Sequence, residues 1–197
     1  MNAPLGGKRA LITGAAGGIG RETALELGRR GADVTLVDLA SCEALAEELS
    51  SMGRQCIAME ADVGDEDQAS AAVQRTIAGL GGLDILVNCA GIMLEKPLLE
   101  TSIDEFDRIV RVNLRGSFLM GREAIKAMPE QGGGGRIINI ASIASSVVPG
   151  PLSASCASKA ALAPLSRALA VDWARPRHPA SPRAALPTLS RVRLSLA

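Results

Sequence analysis

A glycine-rich stretch near the start of the chain reads Thr13-Gly14-Ala15-Ala16-Gly17-Gly18-Ile19-Gly20. The apolar run Arg9–Thr13 before it predicts a strand, and Ile19–Arg30 has the apolar spacing of a helix closed by Gly31. Glycines at such a junction let the backbone turn tightly and approach a pyrophosphate, while the helix N-terminus offers free N–H groups to the anion. Glycines also form ordinary turns, but this position between a strand and a helix favours a dinucleotide-binding loop.

Strand-like and helix-like segments continue to alternate along the chain. Further strands are predicted at Val34–Val37, Cys56–Met59, Ile85–Val87 and Arg136–Ala141, and further helices at Cys42–Ser51, Glu66–Leu80, Asp104–Met128 and Ala154–Ala174. Ser41 is the expected N-cap of the second helix. Pro164 should kink the last helix by clashing with the carbonyl of Ala160. The alternation predicts an α/β fold, a Rossmann-like doubly wound parallel sheet with helices on both faces.

Asp38 ends the second predicted strand, at the distance from the glycine loop that a dinucleotide fold requires. A carboxylate there accepts hydrogen bonds from both hydroxyls of an adenosine ribose and repels a 2′-phosphate. Gly17 places no cation in the loop that would favour this phosphate. The pattern therefore predicts NAD as the cofactor, the alternative being that Asp38 is a solvated loop acid.

Charge and composition exclude several functional classes. The 197 residues suit one domain, and Lys plus Arg equal Asp plus Glu at 21 each, which leaves no basic field for nucleic acid or anionic membranes. The apolar runs are too short to span a bilayer, and Met1–Lys8 lacks the apolar stretch of a secretory signal. The widely spaced cysteines are expected to be reduced and to bind no metal; they are Cys42, Cys56, Cys89 and Cys156. A cytoplasmic protein is expected.

Several motifs, taken in order, resemble those of the short-chain dehydrogenase/reductase family. They are the phosphate loop Thr13-Gly14-xxx-Gly18-x-Gly20, the adenine-holding pair Asp62-Val63, Asn88-Cys89-Ala90-Gly91 in place of Asn-Asn-Ala-Gly, the catalytic residues Asn113 and Ser142, and Ser155-Cys156-Ala157-Ser158-Lys159 in place of Tyr-Ser-Ala-Ser-Lys. The resemblance spans Lys8 to about Ala174. It implies cofactor contacts from Thr13, Gly14, Gly18, Ile19, Gly20, Asp38, Asp62, Val63, Asn88, Ala90, Gly91 and Lys159.

The chain has no tyrosine, although the family uses one as its acid–base catalyst. In the family, the lysine lowers the pKa of this tyrosine and holds the nicotinamide ribose, the serine binds the substrate oxygen, and the asparagine supports a water chain. Ser155 is less acidic than a phenol and a ring shorter. Cys156 lies about 100° further around the helix and is expected to face the core. The resemblance thus implies an impaired enzyme for hydride transfer between nicotinamide and a secondary alcohol or ketone, or else an inactive NAD-binding pseudoenzyme or non-functional fragment.

The composition changes at Arg175, after which proline, arginine, alanine and serine dominate. This change predicts an NAD-binding domain over 1–174 and an irregular tail over 175–197. The family continues into further strands, a substrate-covering loop and a nicotinamide contact that are not visible here, so we expect the last strands to be missing and the domain to be of low stability. One hypothesis for this change in composition is that a single base was inserted in the gene after the codon for Arg175. The resemblance leaves open a homodimer through the fourth and fifth predicted helices.

Overall fold

The computed structural model describes residues 3–128, 134–148 and 150–174. In this part of the chain, five parallel strands form one sheet in the order β3-β2-β1-β4-β5. The strands are β1 (Arg9–Thr13), β2 (Asp33–Asp38), β3 (Cys56–Glu60), β4 (Ile85–Asn88) and β5 (Arg136–Asn139). The helices are α1 (Gly18–Arg29), α2 (Glu43–Ser51), α3 (Glu66–Leu80), α4 (Ile103–Val110), α5 (Ser117–Ala127), α6 (Ser153–Ala160) and α7 (Leu162–Ala174). The predicted parallel α/β fold is confirmed.

Helices cover both faces of the sheet because successive strand residues point to opposite sides. On one face, Leu11 and Leu86 pack against Met120 of α5 and the alanines of α3. On the other face, Ile12 packs against Leu25 of α1 and the leucines of α2. Strand β1 lies between β2 and β4, so the chain leaves the carboxyl ends of β1 and β4 in opposite directions. A crevice opens at such a switch point, and ligands of open α/β sheets bind there.

The predicted helix Asp104–Met128 is present but not regular. A π-helical segment, Arg111–Gly116, separates α4 from α5. A Cβ at Gly116 would lie 2.7 Å from a methyl carbon of Val63, so glycine permits close packing of this segment against the loop after β3. Such π segments are frequent at functional sites, and no periodicity in the sequence marks this one.

Two local predictions about helix ends were wrong. Helix α2 is capped by Cys42 without a side-chain bond, and Ser41 lies one residue too early to be its N-cap. The predicted helix Ala154–Ala174 does not continue through a kink but is interrupted at Ala161. Pro164 is therefore the third residue of α7, where a missing backbone N–H costs no hydrogen bond within the helix.

Residues 175–197, on which the predicted tail and the base-insertion hypothesis depend, lie outside the described residues. Strand β5 pairs with β4 and, in the ranges given above, with no second neighbour. Ile138, on β5, is exposed. No described helix combines the length and the apolar character that crossing a membrane requires.

Asp84, just before β4, links the amino ends of two neighbouring strands. Its carboxylate accepts hydrogen bonds from the Lys8 ammonium at 3.3 Å, the Arg9 backbone N–H at 3.0 Å and the Arg9 guanidinium Nε at 2.7 Å. Burial acts to raise the pKa of Asp84, but the hydrogen bonds and charge of Arg9 and the hydrogen bond of Lys8 outweigh it and hold this pKa below its usual value. The ionised carboxylate is therefore the form that stabilises this end of the sheet.

Replacing Asp84 by asparagine should reduce the free energy of unfolding at pH 7 by about 1–3 kcal/mol, the usual range for a lost charged hydrogen bond. A carboxyl group whose pKa is lowered on folding stabilises above its unfolded pKa of about 3.9 and loses this effect as pH falls through the folded value. Urea unfolding at pH 7 and pH 3 measures the difference, with the exposed Glu47→Gln as control. An equal difference at both pH values would contradict an ionised Asp84.

Candidate active site

The loop between β1 and α1 is shaped by glycines with different tasks. A Cβ at Gly14, whose φ is +67°, would lie 2.6 Å from the backbone nitrogen of Ala90, and a Cβ at Gly20 would overlap the carbonyl oxygen of Gly14. Both glycines therefore allow close backbone packing. A Cβ at Gly17 or Gly18 would meet nothing within 4 Å. This part of the loop borders open space.

The N-terminus of α1 faces the same open space with its backbone N–H groups. Its N-cap, Gly17, provides no side-chain acceptor, and the first turn contains no acidic residue. The unsatisfied N–H groups and the helix dipole favour an anion at this position. The predicted contact residue Ile19 has an exposed side chain at this end of the helix. The geometry suits a phosphate group.

Asp38 lies beside this loop at the end of β2. One carboxylate oxygen accepts a hydrogen bond from the backbone N–H of Ala16 at 3.0 Å, and the other accepts one from Ala40 at 3.1 Å. The acid predicted to bind the ribose is thus held against the phosphate loop. Arg21, on the first turn of α1, has its guanidinium bound to Glu22 at 3.1 Å and to Glu48 at 2.6 Å.

The predicted adenine pair follows β3. The Asp62 carboxylate accepts hydrogen bonds from the Gly64 backbone N–H at 2.8 Å and from the Arg111 guanidinium at 2.7 Å. Val63 is buried. The sequence did not indicate Arg111, since it lies 49 positions from Asp62 and only the fold brings the two together.

The motif after β4 serves packing as well as the crevice. The Asn88 side chain is buried and donates a hydrogen bond to the Asn139 side-chain oxygen at 2.8 Å. Asn139 in turn donates to the Ser166 hydroxyl at 2.8 Å, so a polar chain joins β4, β5 and α7. The Ala90 backbone N–H donates to the Thr13 hydroxyl at 3.2 Å. Asn88 thus orients the strand ends, and neither Asn139 nor Ser166 was predicted.

Asn113 lies in the π-helical segment and is fully buried. Its side-chain oxygen accepts from the Ile92 backbone N–H at 2.8 Å, and its side-chain nitrogen donates to the Ile92 carbonyl at 2.9 Å and to the Ser158 hydroxyl at 3.0 Å. The predicted catalytic asparagine therefore fastens the loop after β4 to α6.

Lys159 projects from α6 toward the strand ends. Its ammonium donates a hydrogen bond to the Ile140 carbonyl at 2.8 Å. Burial lowers the pKa of Lys159, and only a negative charge on the Cys89 sulfur would oppose this effect. A Cβ at Gly91 would lie 3.1 Å from the Lys159 nitrogen and 3.2 Å from the Asn113 side-chain oxygen. Glycine at position 91 therefore leaves space that the lysine and the asparagine use.

The two predicted catalytic serines are both engaged with backbone groups. The Ser142 hydroxyl caps a short 3₁₀ turn by accepting from the Ala144 N–H at 3.1 Å. The Ser155 hydroxyl accepts from the Leu94 N–H at 3.0 Å and donates to the Leu94 carbonyl at 3.4 Å, with 5% of the residue exposed. Ser155 thus holds the loop after β4. Cys156, which was expected to face the core, is half-buried.

These contacts gather the predicted residues at the carboxyl ends of β1, β2, β3, β4 and β5. The crevice offers an anion site, a carboxylate beside it, and a lysine near a backbone-bound serine. The described residues contain no group of three histidine, cysteine, aspartate or glutamate side chains that could hold a metal ion. The four cysteines are free thiols.

Comparisons with known proteins agree with this arrangement. Residues 8–177 match the family model described as short chain dehydrogenase. The chain is 41% identical over 175 residues to a versicolorin reductase from Emericella nidulans, covering 87% of this chain and 65% of that protein. It is 40% identical over 171 residues to a D-threitol dehydrogenase from Mycolicibacterium smegmatis, covering 86% and 65%.

The structural comparison leads to the same family. The crystal structure of a short-chain type dehydrogenase/reductase from Mycobacterium marinum matches with a TM-score of 0.82 and 38% identity, covering 87% of this chain and 71% of that one. The chain spans about two thirds of the length of the curated relatives it matches. The resemblance seen in the sequence is therefore confirmed, and the chain belongs to the short-chain dehydrogenase/reductase family of oxidoreductases, which use nicotinamide cofactors.

Proposed function

We propose that this chain binds NAD and that its hydride transfer between nicotinamide and a secondary alcohol or ketone is impaired. The observation that carries the choice of NAD is the Asp38 carboxylate, held by the Ala16 N–H against the phosphate loop. A 2′-phosphate at this position would meet a negative charge. The nearest described cation on α1, Arg21, forms ion pairs with Glu22 and Glu48.

The residues of the crevice fit this cofactor. The α1 N-terminus would hold the pyrophosphate, Asp38 the adenosine ribose, Asp62 the adenine and Lys159 the nicotinamide ribose. When bound, NAD supplies the carbon that accepts or donates the hydride. Thr13, Asn88, Ala90 and Gly91 shape the crevice around it, through the hydrogen bonds and close contacts described above.

The impairment follows from the chemistry at Ser155. Reduction of a ketone needs a proton donor near the substrate oxygen, and the hydroxyl at this position is shorter and far less acidic than a phenol. This hydroxyl also accepts a hydrogen bond from the Leu94 N–H and donates one to the Leu94 carbonyl. Ser142 can still bind a substrate oxygen, because its hydroxyl hydrogen is not used in accepting from Ala144.

A catalytically inactive NAD-binding pseudoenzyme is the second candidate, and the commitment of Ser155 to Leu94 favours it. Both candidates require that the chain binds NAD. Calorimetric titration of the purified chain with NAD tests this requirement, and we expect saturable binding at one site. NADH oxidation with a generic ketone then separates the two candidates, since only the first predicts turnover above background. A chain that shows no heat of binding would contradict both.

We propose further that the chain acts in the cytoplasm on a small alcohol or ketone, without nucleic acid or membrane partners. We also propose that two copies pair through helices α4, α5 and α7. Each of these helices carries exposed apolar side chains: Ile103, Phe106, Phe118 and Val171. Sedimentation velocity of the purified chain distinguishes this dimer from a monomer.

A further inference from the structure

Lys159 is unusual among the four lysines of the chain. The other three have carboxylate partners: Lys8 with Asp84 at 3.3 Å, Lys96 with Glu105 at 2.9 Å, and Lys126 with Glu123 at 2.8 Å. Lys159 has no such partner in the described part of the chain, and its one hydrogen bond is to the neutral Ile140 carbonyl. Among the residues that the structure describes, no carboxylate therefore holds the proton on this amine.

The surroundings of Lys159 make the loss of its proton easier than at an exposed lysine. Burial lowers the pKa of Lys159, since removing an ammonium from water is unfavourable without a charged partner. The elements packed around it contribute the Ile140 carbonyl after β5, the uncharged Asn113 amide, and the Cys89 thiol after β4. Burial raises the pKa of Cys89 to about 11, so this thiol stays protonated at neutral pH.

An exposed glycine lies beside the amine. Gly91 is exposed, and a side-chain carbon there would stand 3.1 Å from the Lys159 nitrogen, so the missing side chain leaves an approach open. One helical turn before Lys159, the Ser155 hydroxyl is turned to Leu94 and provides neither charge nor bulk next to the amine.

We propose that the Lys159 amine captures small aldehydes and ketones as reversible imines, and that this chemistry needs no nucleotide. A desolvated lysine without a counter-ion is the kind of side chain that forms Schiff bases with carbonyl compounds. The neutral nitrogen attacks the carbonyl carbon to give a carbinolamine, and loss of one water forms the carbon–nitrogen double bond. Hydrolysis reverses both steps, so no oxidant or reductant is consumed.

This inference goes beyond the proposed hydride transfer and does not depend on it. Imine formation and hydride transfer would occur in the same crevice and would both act on small carbonyl compounds. They differ in what reacts, since one uses the bound nucleotide and the other uses the side chain of Lys159. A measurement on the protein without nucleotide therefore isolates the imine.

Reductive trapping tests the proposal on the native chain of 197 residues. We would incubate it with propanal and sodium cyanoborohydride at pH 7, where the imine is reduced to a stable secondary amine, and follow each lysine by peptide mass mapping. We expect Lys159 to gain a propyl group roughly fivefold or more faster than the ion-paired lysines, because the reactive fraction of an amine rises as its pKa falls. In urea-denatured protein the four lysines should react at similar rates.

Two further arms make the outcome decisive. The variant Lys159→Arg should lose only the fast label, and the three remaining lysines serve as internal comparators if it folds. Lys159 reacting no faster than the half-exposed Lys8 in the native protein would overturn the proposal. Protection of Lys159 by saturating NAD supports both the imine site and the proposed cofactor site. Fast labelling that NAD does not slow leaves the imine intact and counts against the placement of NAD beside Lys159.

Discussion

NAD should bind the purified chain at least about tenfold more tightly than NADP, a difference of about 1.4 kcal/mol. The reason is the Asp38 carboxylate, which the Ala16 and Ala40 N–H groups hold at the end of β2. Like charges brought together at a binding site cost several kcal/mol, and the 2′-phosphate would add its charge here. Calorimetric titration with each nucleotide gives the ratio, and equal affinities would refute the ribose-binding role of Asp38.

The double variant Asp38→Ala, Gly17→Arg should reverse this preference. Gly17 has an extended backbone with φ of −155°, and a side chain there meets no neighbour within 4 Å, so arginine fits without strain. The single variant Gly17→Arg, which keeps Asp38, is the control. It should weaken discrimination without reversing it, because the carboxylate still faces the phosphate. Reversal by Gly17→Arg alone would show that the loop charge, and not Asp38, sets the preference.

The sequence specified the sheet well because its signals are local. Strand β1 and helix α3 begin and end where the apolar periodicity, the glycines and the acids of the first turn place them. The π-helical segment Arg111–Gly116 had no such local signal, whereas Pro164 marked the irregularity near Ala161 but predicted a kink instead of an interruption. The π-helical segment depends on packing between distant segments, as in the close approach of Gly116 to Val63.

The site shows the same division between local and distant information. The motif positions that resemble the family do meet at one end of the sheet. Their partners could not be found by spacing, since Leu94 lies 61 positions from Ser155, and Asn139 lies 51 positions from Asn88. The sequence indicated that Ser155 lacks a phenol, but only the structure shows that its hydroxyl fastens a loop.

Replacing Ser155 by tyrosine should restore part of the hydride transfer to a generic ketone. A phenol at this position regains an acidic hydroxyl and lies one helical turn from Lys159. General acid–base catalysis supplies about 10²–10⁴-fold in rate, so the gain should be easy to measure as NADH oxidation. The matched control is Ser155→Phe, which introduces the same ring without the hydroxyl and should remain inactive.

Recovery by Ser155→Tyr alone should stay well below that of an intact relative, for two physical reasons. Ser155 is 5% exposed and bonded to Leu94, so the new ring must displace the loop after β4, and such overpacking typically costs about 1–3 kcal/mol. About a third of each compared relative also lies outside the matched region. Correct positioning of the substrate accounts for much of the reduction in the activation barrier. In the relatives, residues of the unmatched third are candidates to position the substrate.

A chimera therefore completes the test. Ser155→Tyr joined after Ala174 to the C-terminal segment of a relative should recover much more turnover than the point variant, with kcat rising more than KM falls, because a positioned substrate reacts faster once bound. The same chimera with Ser155 unchanged should stay slow, which separates positioning from proton transfer. Full recovery by Ser155→Tyr alone would show that the added segment is not needed. Substantial turnover in the unmodified chain, or equal rates for Ser155→Tyr and Ser155→Phe, would show that the hydroxyl at position 155 does not control the chemistry.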